Sequence, residues 1–175
     1  MDGVTSSGGV AAAGPGAWVL LHYQLPRVPS TPRIALWRRL RRLGVAQLGD
    51  GLVALPADAR TAEQLEWLAQ DVREATGTAG VWTARPTSLT QERELATAMA
   101  AARAAEYRTL AEEAEAARSA PDRERGKALA RLRRQWREIT RRDFFPPAER
   151  DAADAALRDL AVADLGAAHA DGRTP

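Results

Sequence analysis

A largely apolar run, Trp18-Val-Leu-Leu-His-Tyr-Gln-Leu25, stops abruptly at Pro26. A half-exposed strand would alternate polar and apolar residues, so this run reads as a buried central strand. Such a strand needs partners on both edges and cover on its faces, and the next sixty residues supply them in order.

Pro26, Pro29 and Pro32 stiffen the first connection. Thr31 is expected to cap a helix with Pro32 in its first turn, where a missing N–H costs nothing. Ile34, Trp37, Leu40 and Leu43 are expected to form its inner stripe, and Gly44 closes it. Val45 to Pro56 reads as two short strands around Gly49-Asp-Gly51, a hairpin signal. Thr61-Ala-Glu-Gln64 has capping-box spacing and is expected to open a second helix with Leu65, Leu68 and Val72 inward. Gly77 should end that helix, and Thr78 to Arg85 is a final strand before Pro86. The expected class is therefore α+β, a ferredoxin-like β-α-β-β-α-β domain over residues 18–86.

After Pro86 the pattern turns helical. Ser88 or Thr90 should cap a helix reaching about Arg118, and Pro121 starts another with Leu129, Leu132, Trp136 and Ile139 as its stripe. Asp143-Phe-Phe-Pro-Pro147 breaks that helix before a last, short one through Leu157, Leu160 and Leu165. Residues 88–165 are thus expected to form a long α-helical hairpin plus a short C-terminal helix. Residues 1–17, rich in Gly, and 166–175 are expected to be disordered and frayed respectively. Trp67 falls off its helix stripe, and with Phe144 and Phe145 it is expected to form the interface between the two halves.

Charge is segregated along the chain. Although 25 basic residues nearly balance 23 acidic ones, the stretch from Arg27 to Arg42 holds six basic residues and no acid. Pro121 to Arg142 holds nine basic against three acidic residues. All the basic residues but Lys127 are arginine, a bias that a GC-rich genome explains; the clustering it does not explain. Arg131, Arg133, Arg134, Arg137 and Arg141 form a row suited to phosphates, with Gln135 as a base-edge reader. Arg38, Arg41 and Arg42 share a side of the first helix and extend the patch. The competing expectation pairs these arginines with Glu106, Glu112, Glu113 and Glu115 of the preceding helix.

The words Trp18 to Pro26, Pro29-Ser30, Arg33 to Gly44, Leu52 to Pro56 and Glu66-Trp67-Leu68 recur in a known order. With Ala105-Glu-Tyr107, Glu112-Glu113, Ile139 and Asp143-Phe-Phe-Pro146, they resemble the N-terminal region of the ChrB family of chromate-resistance regulators. The first domain is also similar to PaaX-type repressors and to CRISPR spacer-acquisition nucleases. The resemblance implies a DNA-binding regulator that represses chromate-efflux genes and responds to chromate, with promoter DNA as its partner. Family members carry a further C-terminal domain that this chain is expected to lack. That would leave it to bind DNA without sensing, or to sense through a separately encoded sensor domain.

No catalytic residue is assigned, and the chain is expected not to be an enzyme. The related nucleases place a metal-binding aspartate near the end of the first strand, where this chain has His22-Tyr-Gln-Leu-Pro26. Asp50 and Asp58 sit in turns, where local capping is the usual role. His22 is expected to be a core histidine. With no cysteine, no metal site and no cofactor are expected. Arg85, at the end of the last strand, is the candidate for a small oxyanion such as chromate. No apolar run approaches membrane-spanning length, so the chain is expected to be cytoplasmic, free of membrane and able to act as a homodimer. A protein-interaction or adaptor module with an acidic partner is the alternative.

Overall fold

The computed structural model describes residues 16–170, with side chains as far as residue 166. Most of the expected disordered N-terminus, and the last five residues of the expected frayed tail, lie outside the described residues. β1 (Trp18–Gln24) is central, as its composition requires. It pairs antiparallel with β3 (Leu52–Pro56) on one side and with β4 (Thr78–Ala84) on the other. β2 (Ala46–Gly49) pairs with β3, giving a four-stranded antiparallel sheet of order β2-β3-β1-β4.

The two faces of β1 are covered by different layers. Leu21, with Val53 and Leu55 of β3, is fully buried in the core that includes Leu36 and Leu40 of α1 (Thr31–Leu43) and Leu65, Leu68 and Val72 of α2 (Ala59–Glu74). On the other face, Trp18, Leu20, Ala54 and Ala84 meet Gln91 and Leu95 of α3 (Leu89–Ala117). That cover is incomplete. His22 is exposed there and not in the core as expected, because α3 crosses the opposite end of the sheet.

Local chemistry corrects four helix details. In α1 the buried residues are Leu36 and Leu40, whereas Ile34 and Trp37 are 47% and 54% exposed. Successive steps of three residues drift by about 60° each, so Ile34, Trp37, Leu40 and Leu43 spread over half the helix. Leu36, Leu40 and the half-buried Leu43 occupy a narrow arc instead. The N-cap is Ser30, whose side chain makes no capping bond, and not Thr31. In α2 the cap is Asp58 and not Thr61. Asp58 Oδ1 accepts from the Thr61 N–H at 2.6 Å, and Thr61 Oγ1 accepts from the Asp58 N–H at 2.9 Å. Thr61 is the buried inner half of that reciprocal pair. After α2 the left-handed residue is Thr76, not Gly77. Gly77 is needed for clearance, since a Cβ there would lie 2.4 Å from the Gln24 carbonyl oxygen.

The helical half is a three-helix arrangement. The last helix is not short: α5 (Glu149–Ala170) is 22 residues, longer than the 19 of α4 (Asp122–Thr140). Its buried positions include Ala153 and Ala156 beside Leu157 and Leu160, and alanine is too common in this chain to reveal a stripe. With Tyr107, Leu110 and Ala114 of α3 and Leu129, Leu132 and Ile139 of α4, they form a second core. α3 serves both cores, with Leu95 and Met99 in the first and Tyr107 onward in the second.

The α4–α5 connection ties the halves together. Phe145 stacks on Trp18 with ring centroids 6.0 Å apart, and the Arg60 guanidinium lies over Phe144 at 5.8 Å. Trp67 takes no part in this contact and is 59% exposed, because its side of α2 faces away from the helical half. Among the described residues no helix is long and apolar enough to cross a membrane.

Candidate nucleic-acid interface

The apolar stripe of α4 sets its orientation. Leu129, Leu132 and Ile139 are buried, and Trp136 packs on Tyr107 with centroids 5.2 Å apart. The opposite arc is forced outward, and Arg133, Arg134, Arg137 and Arg141 on it are exposed. Among the described residues none of these four is in an ion pair. Exposed Arg123 and Lys127 extend the same arc toward the N-terminus of α4. Sequence reasoning missed this pair, although the 123/127/134/141 spacing keeps the helical period.

The flank of α4 toward α3 differs. Arg131 Nη1 contacts Glu113 Oε2 at 2.6 Å, and Arg142 Nη2 contacts Glu106 Oε2 at 3.0 Å. The competing expectation of pairing with the glutamates of α3 therefore holds for this flank, not for the outer row. Gln135 is half-buried and faces a groove of about 590 Å³ with Arg131, Arg134 and Arg142. Arg125 is buried and structural, with Nη1 donating to the Arg118 and Ala120 carbonyls at 3.1 and 3.0 Å.

The two basic helices meet end to end. At Gly44, the left-handed cap of α1, a Cβ would lie 3.0 Å from Arg142 Cβ and 2.7 Å from Arg103 Nη1. Arg142 Nη1 also reaches the Arg41 carbonyl oxygen at 3.5 Å. Basic side chains at these helix C-termini suit the negative ends of their dipoles. Burial pulls the Arg103 guanidinium below its usual value while Glu106 opposes the shift. Beneath the junction, the Tyr107 hydroxyl donates to Asp143 Oδ2 at 2.9 Å, and burial pushes the Tyr107 pKa up. The Asp143 side chain is fully buried, so the loop that carries it is fixed against α3.

On α1, Arg38, Arg41 and Arg42 are all exposed, and the Arg41 guanidinium lies 4.8 Å from the Trp37 ring centroid. Arg39 is engaged with Asp71 of α2. Arg85 borders a largely apolar pocket of about 180 Å³ beside Trp18, Leu20 and Leu95, with no second arginine among its lining residues. Guanidinium groups converge instead in the α3–α4 groove.

Residues 33–168 match the family described as Protein ChrB, N-terminal. The chain belongs to the ChrB N-terminal family. Protein ChrB of Cupriavidus metallidurans is 31% identical over 151 residues, which are 84% of this chain and 46% of that protein. The chain thus spans about half the length of this ChrB relative. No solved structure matches. The ChrB match contains both basic helices and their junction.

Proposed function

We propose that this chain is a DNA-binding transcriptional regulator of chromate resistance, whose phosphate-contacting ridge is the outer face of α4 continued by the last turn of α1. One observation carries the reading: Arg133, Arg134, Arg137 and Arg141 stand exposed, with no acidic partner among the described residues, and lead into Arg41 and Arg42 across the Gly44–Arg142 contact. Guanidinium groups left unneutralised on a rigid helix suit a polyanion. The first half is read as ferredoxin-like, supported by the interleaved order β2-β3-β1-β4 with α1 and α2 side by side. Chromate enters as the inducer that the ChrB relationship implies.

A second reading is favoured at α1. Exposed Ile34 and Trp37 lie beside Arg38 and Arg41, an apolar-plus-basic surface suited to an acidic protein partner such as a separate sensor domain. Among the described residues the outer row of α4 has no large exposed apolar side chain on its helix.

Fluorescence anisotropy with promoter DNA from upstream of the chain's own gene, against a scrambled duplex at two salt concentrations, tests the proposal. Promoter-preferring binding that weakens with salt and is released by chromate is the expected result. Absence of binding at low salt overturns it and leaves the protein-docking reading.

A further inference from the structure

The two edges of the sheet are not alike. The β2 edge is four residues long and carries a register shift between Gln47 and Gly49, devices that discourage pairing with another strand. The β4 edge, Thr78-Ala-Gly-Val-Trp-Thr-Ala84, pairs in unbroken register with β1 over all seven residues and contains no charge and no proline. Among the described residues no strand pairs with its outer side.

Backbone parity shows which groups lie on that side. The Tyr23 N–H donates to the Gly51 carbonyl, so odd-numbered residues of β1 point toward β3 and even-numbered ones toward β4. In the Leu20↔Trp82 register, even-numbered residues of β4 then answer β1, and Ala79, Val81 and Thr83 turn their N–H and C=O outward. The Arg73 Nη2 contact to the Ala79 carbonyl oxygen, at 3.2 Å, agrees with this assignment.

We propose that β4 is a homodimer interface, pairing antiparallel with β4 of a second copy about a twofold axis at Val81. This goes beyond the DNA-binding reading and stands without it. The strand is complementary to itself in that register. Val81 meets Val81 of the copy as a hydrogen-bonded pair, flanked by two Ala79–Thr83 pairs, for about six new backbone bonds, of which the two at the Ala79 carbonyl oxygens share or displace the Arg73 contact. Trp82, 65% exposed, then falls opposite Gly80 of the copy in the closer, non-hydrogen-bonded type of pair. The largest side chain stands opposite the smallest residue, twice, with each indole leaning along its own strand over Gly80. Charge agrees as well. Glu66 precedes Arg73 by two helical turns on the side of α2 that flanks β4, and neither is in an ion pair among the described residues. The twofold reverses α2, setting Arg73 against Glu66 of the copy.

Sedimentation velocity on the nucleic-acid-free full chain, from about 1 to 100 µM, tests this. The wild type is expected to shift from 18.9 kDa to twice that mass. Val81→Pro removes an outward N–H, which an edge strand tolerates, together with a half-buried side chain packed on the first core, and should weaken dimerisation at least tenfold with an unchanged circular dichroism spectrum. Trp82→Glu alters an exposed side chain and should weaken it similarly, so it decides the matter if the proline variant fails to fold. A wild type that stays monomeric throughout overturns the proposal. So does a dimer that survives Trp82→Glu together with a folded Val81→Pro.

Discussion

Replacing Arg134 and Arg137 together by alanine should separate phosphate contact from general charge. Each phosphate neutralised contributes about 0.9 to the slope of log K against log salt, so the pair should remove about 1.8. With a 1 M reference, that corresponds to roughly 60-fold in affinity at 0.1 M salt, or about 2.5 kcal/mol. At 0.3 M the deficit should shrink to roughly ninefold. Both side chains are exposed and outside any ion pair among the described residues, so folding stability should change by less than about 0.5 kcal/mol. Arg131→Ala should cost less than either, because Glu113 already neutralises that guanidinium. Arg158→Ala, on α5 with its partner Asp154 at 3.1 Å, serves as the control for loss of an arginine away from the ridge. Anisotropy titrations across salt, with melting curves alongside, give both quantities. An unchanged slope in the double variant, or an equal loss with Arg158→Ala, would refute the placement.

Gly44→Ala should destabilise the fold by about 1–2 kcal/mol from the left-handed backbone alone, and more from contact with Arg142; thermal melts measure it. Tyr107→Phe removes the hydroxyl that donates to buried Asp143 and should cost about 1–3 kcal/mol by denaturant titration. Asp58→Ala should cost about 1 kcal/mol at neutral pH. Hydrogen bonding from the Thr61 N–H holds the Asp58 carboxyl below its ordinary value, against the opposing effect of burial. The cap therefore stabilises above the ordinary carboxylate range and fades as pH falls through the lowered value. The gap between wild type and Asp58→Ala should accordingly close on acidification, whereas a gap constant with pH would exclude the ionised cap.

What the sequence revealed, and what it hid, follows from the range of each signal. The four strands and the starts of α3 and α4 were legible because proline, Ser88 and apolar runs act within a few residues. The stripe of α1 was misread because Leu36 and Ile34 are equally apolar, and only the sheet beneath selects between them. α5 was underestimated because Ala153 and Ala156 bury without looking like core residues. The basic rows were plain, but not which arginines were taken: Glu113 claims Arg131 and Glu106 claims Arg142 only once α3 lies beside α4. The meeting of the two rows at Gly44 joins residues about a hundred positions apart, and no local pattern encodes it.

α3 has 29 residues without interruption and belongs to both cores. At 1.5 Å per residue it is a rod of about 43 Å, with one end seated on the sheet and α4 clamped along the other. Such a rod is a lever. A tilt of about 5° where Leu95 and Met99 rest on the sheet would carry its far end, about 30 Å away, through about 2.6 Å, close to half a helical pitch. Sub-ångström repacking beneath the first turns of α3 would thus reappear, magnified, as a displacement of the arginine row.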